Sequence, residues 1–415
     1  LHERQQTELI LQALRIGDLG ITAIPNEVFA ITGLKLKRQS PLTNMFNISL
    51  ANGAEGYIPP PEQHALGGYT TWAARTAGLE INAEPRIVES LLKLLEEVSD
   101  RPRRALKEIH GPYAQSVQNS NPMAYWRLEE MSMPVAHEMT GRYNAHFEEG
   151  VALHLPGADE RIGYQAPIPP AKNAFSFDQI NRSAHFAGGR LNAKLPLKND
   201  YTIEFWLWNG LPADNRAVTG YLFSRGQDGD PDASGEHLGI GGTHQPHLAG
   251  RLFLFNGNKQ NQILGGRNTL AFQAWHHVVF VREGDQVRVH LDGRTQPEID
   301  EVFSHTIPEG EDALFLGGRN DNLFNFEGKL DEIAIYDRSL SPDEIKAHYK
   351  ASALAPPSKI TATGPVAHPM TPEASIKKIH IRDGYEIELV AQEPLTMDPV
   401  AIDWDTLGNL WLIEM

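Results

Sequence analysis

The sequence predicts a multidomain, mainly β chain organised around a central antiparallel β-sandwich, and three observations carry that expectation. Between residues 123 and 350, short apolar runs alternate with clusters of Gly, Asn, Asp and Pro, the pattern of regularly spaced strands joined by turns. Periodicity is lost over 99–122 and again over 351–375, where Pro, Ala, Ser and Thr accumulate, so a linker is expected on each side. At 415 residues the chain exceeds one ordinary domain, leaving room for an N-terminal α/β fragment over 1–98 and a C-terminal β fragment over 376–415.

Charge and composition narrow the partners. Asp and Glu number 53 against 37 Lys and Arg, a formal net charge of −16 that repels a polyphosphate backbone, so no nucleic acid partner is expected. With no cysteine there is no disulfide, thiolate metal site or Cys nucleophile. No apolar run reaches the length of a membrane span, and no signal-peptide pattern is present. The pattern opens at Leu1 in mid-element and stops in the strand-like "NLWLIEM", so the chain is expected to be an internal piece of a longer polypeptide.

In order along the chain, "LILQALRIG" turns at Gly17-Asp18 into "LGITAIP", a helical pattern follows from Glu27, and "FNISLAN" reads as a strand. "EPRIVESLLKLLEEV" is a helix opened by Pro85, with Ile87, Val88, Leu91, Leu92, Leu95 and Val98 as its apolar stripe. The linker over 99–122 has room for one short helix. The sandwich strands are then "AYWRLEE", "AHFAG", "YTIEFWLW", "YLFSRG", "RLFLFNG", "WHHVVFVREG", "QVRVHLDG", "ALFLGG" and "LDEIAIYD". After the second linker come "YEIELVAQ", "PVAIDWD" and "NLWLIEM".

Two adjacent histidines and an aspartate in "AWHHVVFVREGDQVRVHLDG" raise the question of a metal site. "REGDQ" separates two β-rich runs, so the stretch is a hairpin. Alternation places Trp275, His277, Val279 and Val281 on one face and His276, Val278, Phe280 and Arg282 on the other, so the two imidazoles cannot share an ion. Asp292 before Gly293 is a turn residue. Trp206 and Trp208 share a strand face and are expected in the core rather than as a sugar platform.

"YTIEFWLW", "YLFSRG", "WHHVVFVREGDQVRVHLDG", "ALFLGG" and "FEGKLDEIAIYDRSLSPDEIKAHY" occur in the order and spacing of a laminin-G-like, concanavalin A-like jelly-roll domain, and residues 123–350 resemble that family. The resemblance implies two antiparallel sheets, a glycan-binding or spacer role directed at glycans or glycoconjugates, and often a structural calcium ion. Hydrolases of this fold carry three carboxylates on one strand face for acid and nucleophile work. The nearest string, "EIDEVF", has Glu298 and Asp300 in place but Glu301 on the wrong face, and "KLDEIAIYD" fails similarly, so no catalytic residue is expected in this chain. For calcium, Asp228, Asp230 and Asp232 alternate in "DGDPDASGE", without the glycine and closing glutamate of a helix-loop-helix calcium loop. Glu129 and Glu130 on the first strand with Asp331 on the last are the other candidate, because first and last strands are often neighbours in such sandwiches.

"AIPNEVFAITG" followed by "SLANGAEGYIPPPEQHALGGY" resembles the end of the catalytic domain of neutral ceramidase-like proteins. In that family a Glu six residues before a Gly and a Tyr five residues after an Asn complete a zinc site with two upstream histidines. The carry-over lands on Glu27, six before Gly33, and Tyr57, five after Asn52. Asn26 stands where the family has Gly, and the Thr-Thr after Phe is lacking. From pattern alone, Glu27 is a helix-start residue and Tyr57 a core-edge aromatic. "IRDGYEIELVAQEPLTMDPVAIDWDTLGNLWLIEM" resembles the opening strands of the β-propeller in bacterial membrane-associated dehydrogenase-like proteins, with Asp403 and Asp405 as turn carboxylates.

These resemblances together imply a segment of a secreted, periplasmic or cell-surface bacterial protein whose intact module is a binding or spacer sandwich. The alternatives are part of a zinc-dependent ceramidase-like amidohydrolase, or the accessory region of a propeller-type sugar dehydrogenase.

Overall fold

The computed structural model describes residues 6–73, 77–105, 110–158, 174–176, 181–232, 234–304, 307, 312–355, 357, 372–391, 395–396 and 399–414. It divides into two units, 1–359 and 360–415.

The first unit opens with a three-stranded sheet. The hairpin Gln12–Ile16 and Leu19–Ala23 turns through Gly17, whose φ of 61° suits glycine, and Leu19–Ala23 pairs in parallel with Asn44–Ile48. The helix Ala83–Ser99 lays Ile87, Val88, Leu91, Leu92 and Leu95 on one face of this sheet with Met45 and Leu36, as its apolar spacing predicts. The other face stays open, with Leu14, Ile21 and Phe46 in one row and Ile48 beyond them. Glu27 does not start a helix as expected. Glu27–Val28 is a short strand, and the helix runs over Ala30–Gln39.

Two eight-stranded antiparallel sheets form the sandwich among the described residues. The first runs in the order Ile299–Val302, Gln286–Leu291, Trp275–Glu283, Asp200–Asn209, Glu327–Tyr336, Arg182–Ala187, Val151–Pro156, with Ala124–Trp126 also pairing Glu327–Tyr336. The second runs Ile263–Thr269, Arg251–Phe255, Glu236–Gly241, Val218–Arg225, Ala313–Leu316, Leu191–Lys194, Ala145–Phe147, Val135–Ala136. Between them lies a core that includes Phe205, Leu207, Leu222, Phe223, Leu238, Leu254, Val278, Phe280 and Ile335, mostly alternate residues of facing strands, with a register shift at Tyr221–Phe223 bringing in both Leu222 and Phe223. A charged pair crosses this interior. Arg282 donates to Glu236 on the opposite sheet, Nε to Oε1 at 2.8 Å, and the Tyr201 hydroxyl donates to the same carboxylate.

The outer face of the first sheet is covered by two helices, Pro112–Asn119 and Pro342–Ala351. Ser341 and Glu344 form a capping box at the start of the second, with Pro342 in its first turn. The first is a short helix within 99–122, the stretch that has room for one. Tyr113, Ala114 and Val117 are fully buried against Trp206, Val279 and Tyr336, so this helix is part of the sandwich's packed layer. Trp206 and Trp208 lie in the same layer, 1% and 2% exposed, as core residues.

The second unit contains a helix, Pro372–Ile376, and an antiparallel hairpin of Pro399–Trp404 and Leu410–Glu414. The Asp405 carboxylate accepts from the backbone of Leu407 and Asn409, so it is the turn residue expected. Residues 385–391, expected as a strand in "YEIELVAQ", adopt no strand.

Candidate functional site

A concavity in the sandwich lies on the outer face of the second sheet, where no α-helix covers it among the described residues. Alternation sends Leu238, Leu252 and Leu254 into the core and leaves His237, Gly239, Gly241, Phe253 and Phe255 on the outside. The strand Glu236–Gly241 can carry these large neighbours because positions 239 and 241 on this side are glycine. A Cβ at Gly239 would stand 2.8 Å from the Phe253 ring, and one at Gly241 would collide with the Leu248 carbonyl. Phe253 therefore lies across the sheet and meets Tyr221 edge to face, with centroids 5.6 Å apart.

Three loops wall this floor into a pocket of about 640 Å³: the 3-10 turn Pro246–Leu248 with His244 and Gln245, the turn holding Asn258 and Asn261, and the segment from Arg319 to Phe324. Asn261 and Phe324 both sit at positive φ, 53° and 51°, and Phe324 is 40% exposed. Arg319 stacks over Tyr221 at 5.2 Å and is held by Asp321, Nε to Oδ1 at 2.7 Å with a second bond from Nη2. Burial raises the Asp321 carboxyl, and the Arg319 guanidinium more than offsets this and holds it below its ordinary value. Under the floor, burial and then Arg319 push His237 down to about 3, so this imidazole is neutral and bonded to Ser224 at 2.7 Å. None of these pocket residues was singled out from sequence. The i, i+2 aromatics of "RLFLF" were visible, but which face they occupied was not.

The candidate zinc ligands Glu27 and Tyr57 are brought side by side as direct partners of a parallel strand pair. The Tyr57 phenol is raised above its ordinary value first by the Tyr69 hydroxyl, then by burial and the Glu27 carboxylate. Among the described residues no group of three or more His, Cys, Asp or Glu is placed to hold a metal ion.

The candidate calcium residues separate. Asp331 is fully buried on the last sandwich strand, where an extra residue opposite Phe205 and a φ of 51° at Glu332 turn both neighbouring carboxylates toward the helix-covered side. Its Oδ2 accepts from the Ala158 backbone at 2.8 Å and from Asn181 at 2.7 Å, while Oδ1 is buried without a hydrogen-bond partner. Burial and then Glu332 raise its pKa well above the ordinary carboxylate range. Glu129 accepts from Ser176 at 2.6 Å and pairs with Arg127 at 3.3 Å, close enough to act on Asp331. Glu130 is engaged elsewhere, accepting from the His137 backbone at 2.8 Å. Asp228 and Asp230 lie in a surface loop, where Asp230 accepts from the Asp232 backbone.

The other carboxylates and histidines considered from sequence are bonded within the sandwich. Glu298 accepts from the backbone of Arg267 and Asn268 and so ties the edges of the two sheets, and Asp300 is exposed and bound to Gln286. His276 and His277 do face opposite sides. Asp292, at φ 52°, bonds the His276 ring at 3.0 Å and the His277 backbone at 3.0 Å, while the His277 ring reaches Glu204 under the helices.

Comparison with known proteins matches residues 185–346 to a family of the concanavalin A-like lectin/glucanases superfamily and residues 371–415 to a domain of unknown function, DUF7133. No curated protein matches the chain by sequence. Similar solved structures include domain 4 of AbnA, an extracellular arabinanase from Geobacillus stearothermophilus bound to arabinotriose, at 17% identity over 55% of this chain and 98% of that one, TM-score 0.37. They also include the receptor binding domain of botulinum neurotoxin type G, at 12% identity over 55% and 51%, TM-score 0.36. A sialidase from Trypanosoma rangeli aligns at 15% identity over 64% and 38%, TM-score 0.37. The chain thus spans about half of the neurotoxin domain and a smaller share of the sialidase.

Proposed function

We propose that this concanavalin A-like sandwich is a glycan-binding module of an extracytoplasmic protein and that its site is the pocket over Tyr221, Phe253 and Phe255. The observation that carries the reading is the pairing of an aromatic floor with a planar polar rim of Asn258, Asn261 and Gln245 in one concavity of about 640 Å³, within the range of small-molecule sites. A sugar ring presents an apolar C–H face and a fringe of hydroxyls. Aromatic rings suit the face, and amides, which both donate and accept, suit the fringe. Phe324 and Asn261 are exposed enough to be replaced without disturbing the core.

The test is a glycan array followed by calorimetry on the wild type and on Phe324→Ala and Asn261→Ala. Binding to an oligosaccharide, weakened about ten-fold or more in either variant with melting temperature unchanged, is expected. Absence of binding across the array, or binding indifferent to both variants, rejects the site.

A second reading concerns the N-terminal fragment and rests on the register of Glu27 with Tyr57. Two oxygen donors on neighbouring strands suit part of a zinc site, which needs nitrogen donors to be complete. This supports a ceramidase-like amidohydrolase in which the sandwich directs the enzyme to glycoconjugates. A structural calcium near Asp331 is supported by one observation, the buried Oδ1 without a hydrogen-bond partner on a carboxyl within electrostatic reach of Glu129.

A further inference from the structure

Resting on the glycan reading of the pocket, we infer that the pocket selects uncharged oligosaccharides and rejects those carrying carboxylate or sulfate groups. Among the described residues that line it there is no carboxylate and a single guanidinium, Arg319. That guanidinium is already spent. Both its Nε and Nη2 face Asp321, the two side chains are 9% and 3% exposed, and its Nη1 lies 3.4 Å from the Tyr221 hydroxyl.

An anionic sugar would have to compete with a buried, two-point ion pair for this cation, and replacing one partner of such a pair leaves the displaced carboxylate uncompensated. A neutral hydroxyl makes no such demand and can use the N–H groups that Asp321 leaves over. His237, directly below, adds no positive charge. Lys259 lies on the rim loop and is exposed, but it does not line the pocket.

The surroundings act in the same direction. The chain carries a formal charge of −16, so a polyanionic glycan meets repulsion at long range and, at short range, a lining whose basic groups are the already paired Arg319 guanidinium and the His244 imidazole. What remains is dispersion against the rings and neutral hydrogen bonding to amides, both insensitive to salt.

The experiment titrates the whole chain with matched pairs of oligosaccharides, each a neutral backbone and its sialylated, uronate or sulfated counterpart, at 0.05 and 0.5 M salt (about 14 and 4 Å of screening length). Affinity for a neutral member at least ten-fold above its anionic counterpart, changing less than two-fold with salt, is expected. Asp321→Asn, which releases the Arg319 charge, should narrow that preference by about ten-fold, checked against its melting curve. The salt comparison stands without the variant. Preference for the anionic member, or affinity that collapses with salt, overturns the inference while leaving the pocket a glycan site. No binding of either member overturns both.

Discussion

His277 Nε2 donates to Glu204 Oε1 at 2.8 Å in the fully buried layer between sheet and helices, and Glu204 also accepts from His348 Nδ1 at 3.0 Å and from the hydroxyls of Tyr113 and Tyr336, each at 3.0 Å. One carboxylate on the sheet thus fastens both covering helices, since Tyr113 belongs to Pro112–Asn119 and His348 to Pro342–Ala351. His348 passes the network on through Nε2 to Ser120 at 2.8 Å.

This arrangement makes stability depend on pH from both sides. Burial raises Glu204, but His348 and His277 outweigh it and hold the carboxyl far below its ordinary value, so its contribution is present above about pH 4.5 and is lost as pH falls. Burial lowers His348, but Glu204 outweighs it and the imidazole stays raised above 6.5, so its contribution is present below that value and is lost as pH rises through the folded pKa. The melting temperature should therefore peak between about pH 5 and 6.5. Glu204→Gln should remove the peak and cost about 3–5 kcal/mol, the scale for breaking a buried pair. A wild-type profile flat from pH 4 to 8 would reject this account.

Breaking the cross-sheet pair should be comparably costly. Burial raises Glu236 above its ordinary value, Arg282 acting against this, so removing the carboxylate leaves a buried guanidinium with carbonyl partners only. Glu236→Gln should destabilise by about 3–5 kcal/mol, and Glu236→Gln with Arg282→Met should recover a large part of that loss. Chemical denaturation of the single and double variants measures the difference, and an additive double variant would contradict it.

Calcium at Asp331 is checked by melting with and without chelator. A cation that binds only the folded sandwich raises its melting temperature by mass action, and Asp331→Asn should abolish the effect. Identical curves in calcium and chelator would leave Asp331 as a buried carboxyl that only holds the Ala158 backbone and the Asn181 amide.

Zinc binding by this chain should be weak, since oxygen donors without imidazoles hold the metal poorly. Glu27→Gln should weaken it a further ten-fold or more and Tyr57→Phe measurably, with the fold intact in both. Metal content after dialysis is the readout. Equal uptake by all three proteins would return Glu27 and Tyr57 to a structural role.

The parts of this fold legible in sequence are those governed by local period. Alternation alone separated His276 from His277 and put Trp206 and Trp208 on one shared face, and the 3.6-residue spacing found Ala83–Ser99 to within two residues. A short helix in 99–122 has room in the sequence, but the bounds and burial of Pro112–Asn119 are not legible there, because Tyr113, Ala114 and Val117 are too few to show a stripe and their cover comes from a sheet formed much later in the chain. The pocket was illegible for a related reason. Tyr221, Phe253 and Phe324 meet only once the sheet is assembled, and period 2 says that Phe253 and Phe255 share a face without saying which face lacks a cover. The convergence on Glu204 joins positions 73 and 144 residues apart, beyond any local pattern.

The glycines of Glu236–Gly241 also limit how the pocket can change. Because the Phe253 ring fills the space over Gly239, any side chain there would have to push that ring off the sheet. Changes in the pocket's lining therefore fall to the loops that wall it, where residues can be exchanged without moving a strand.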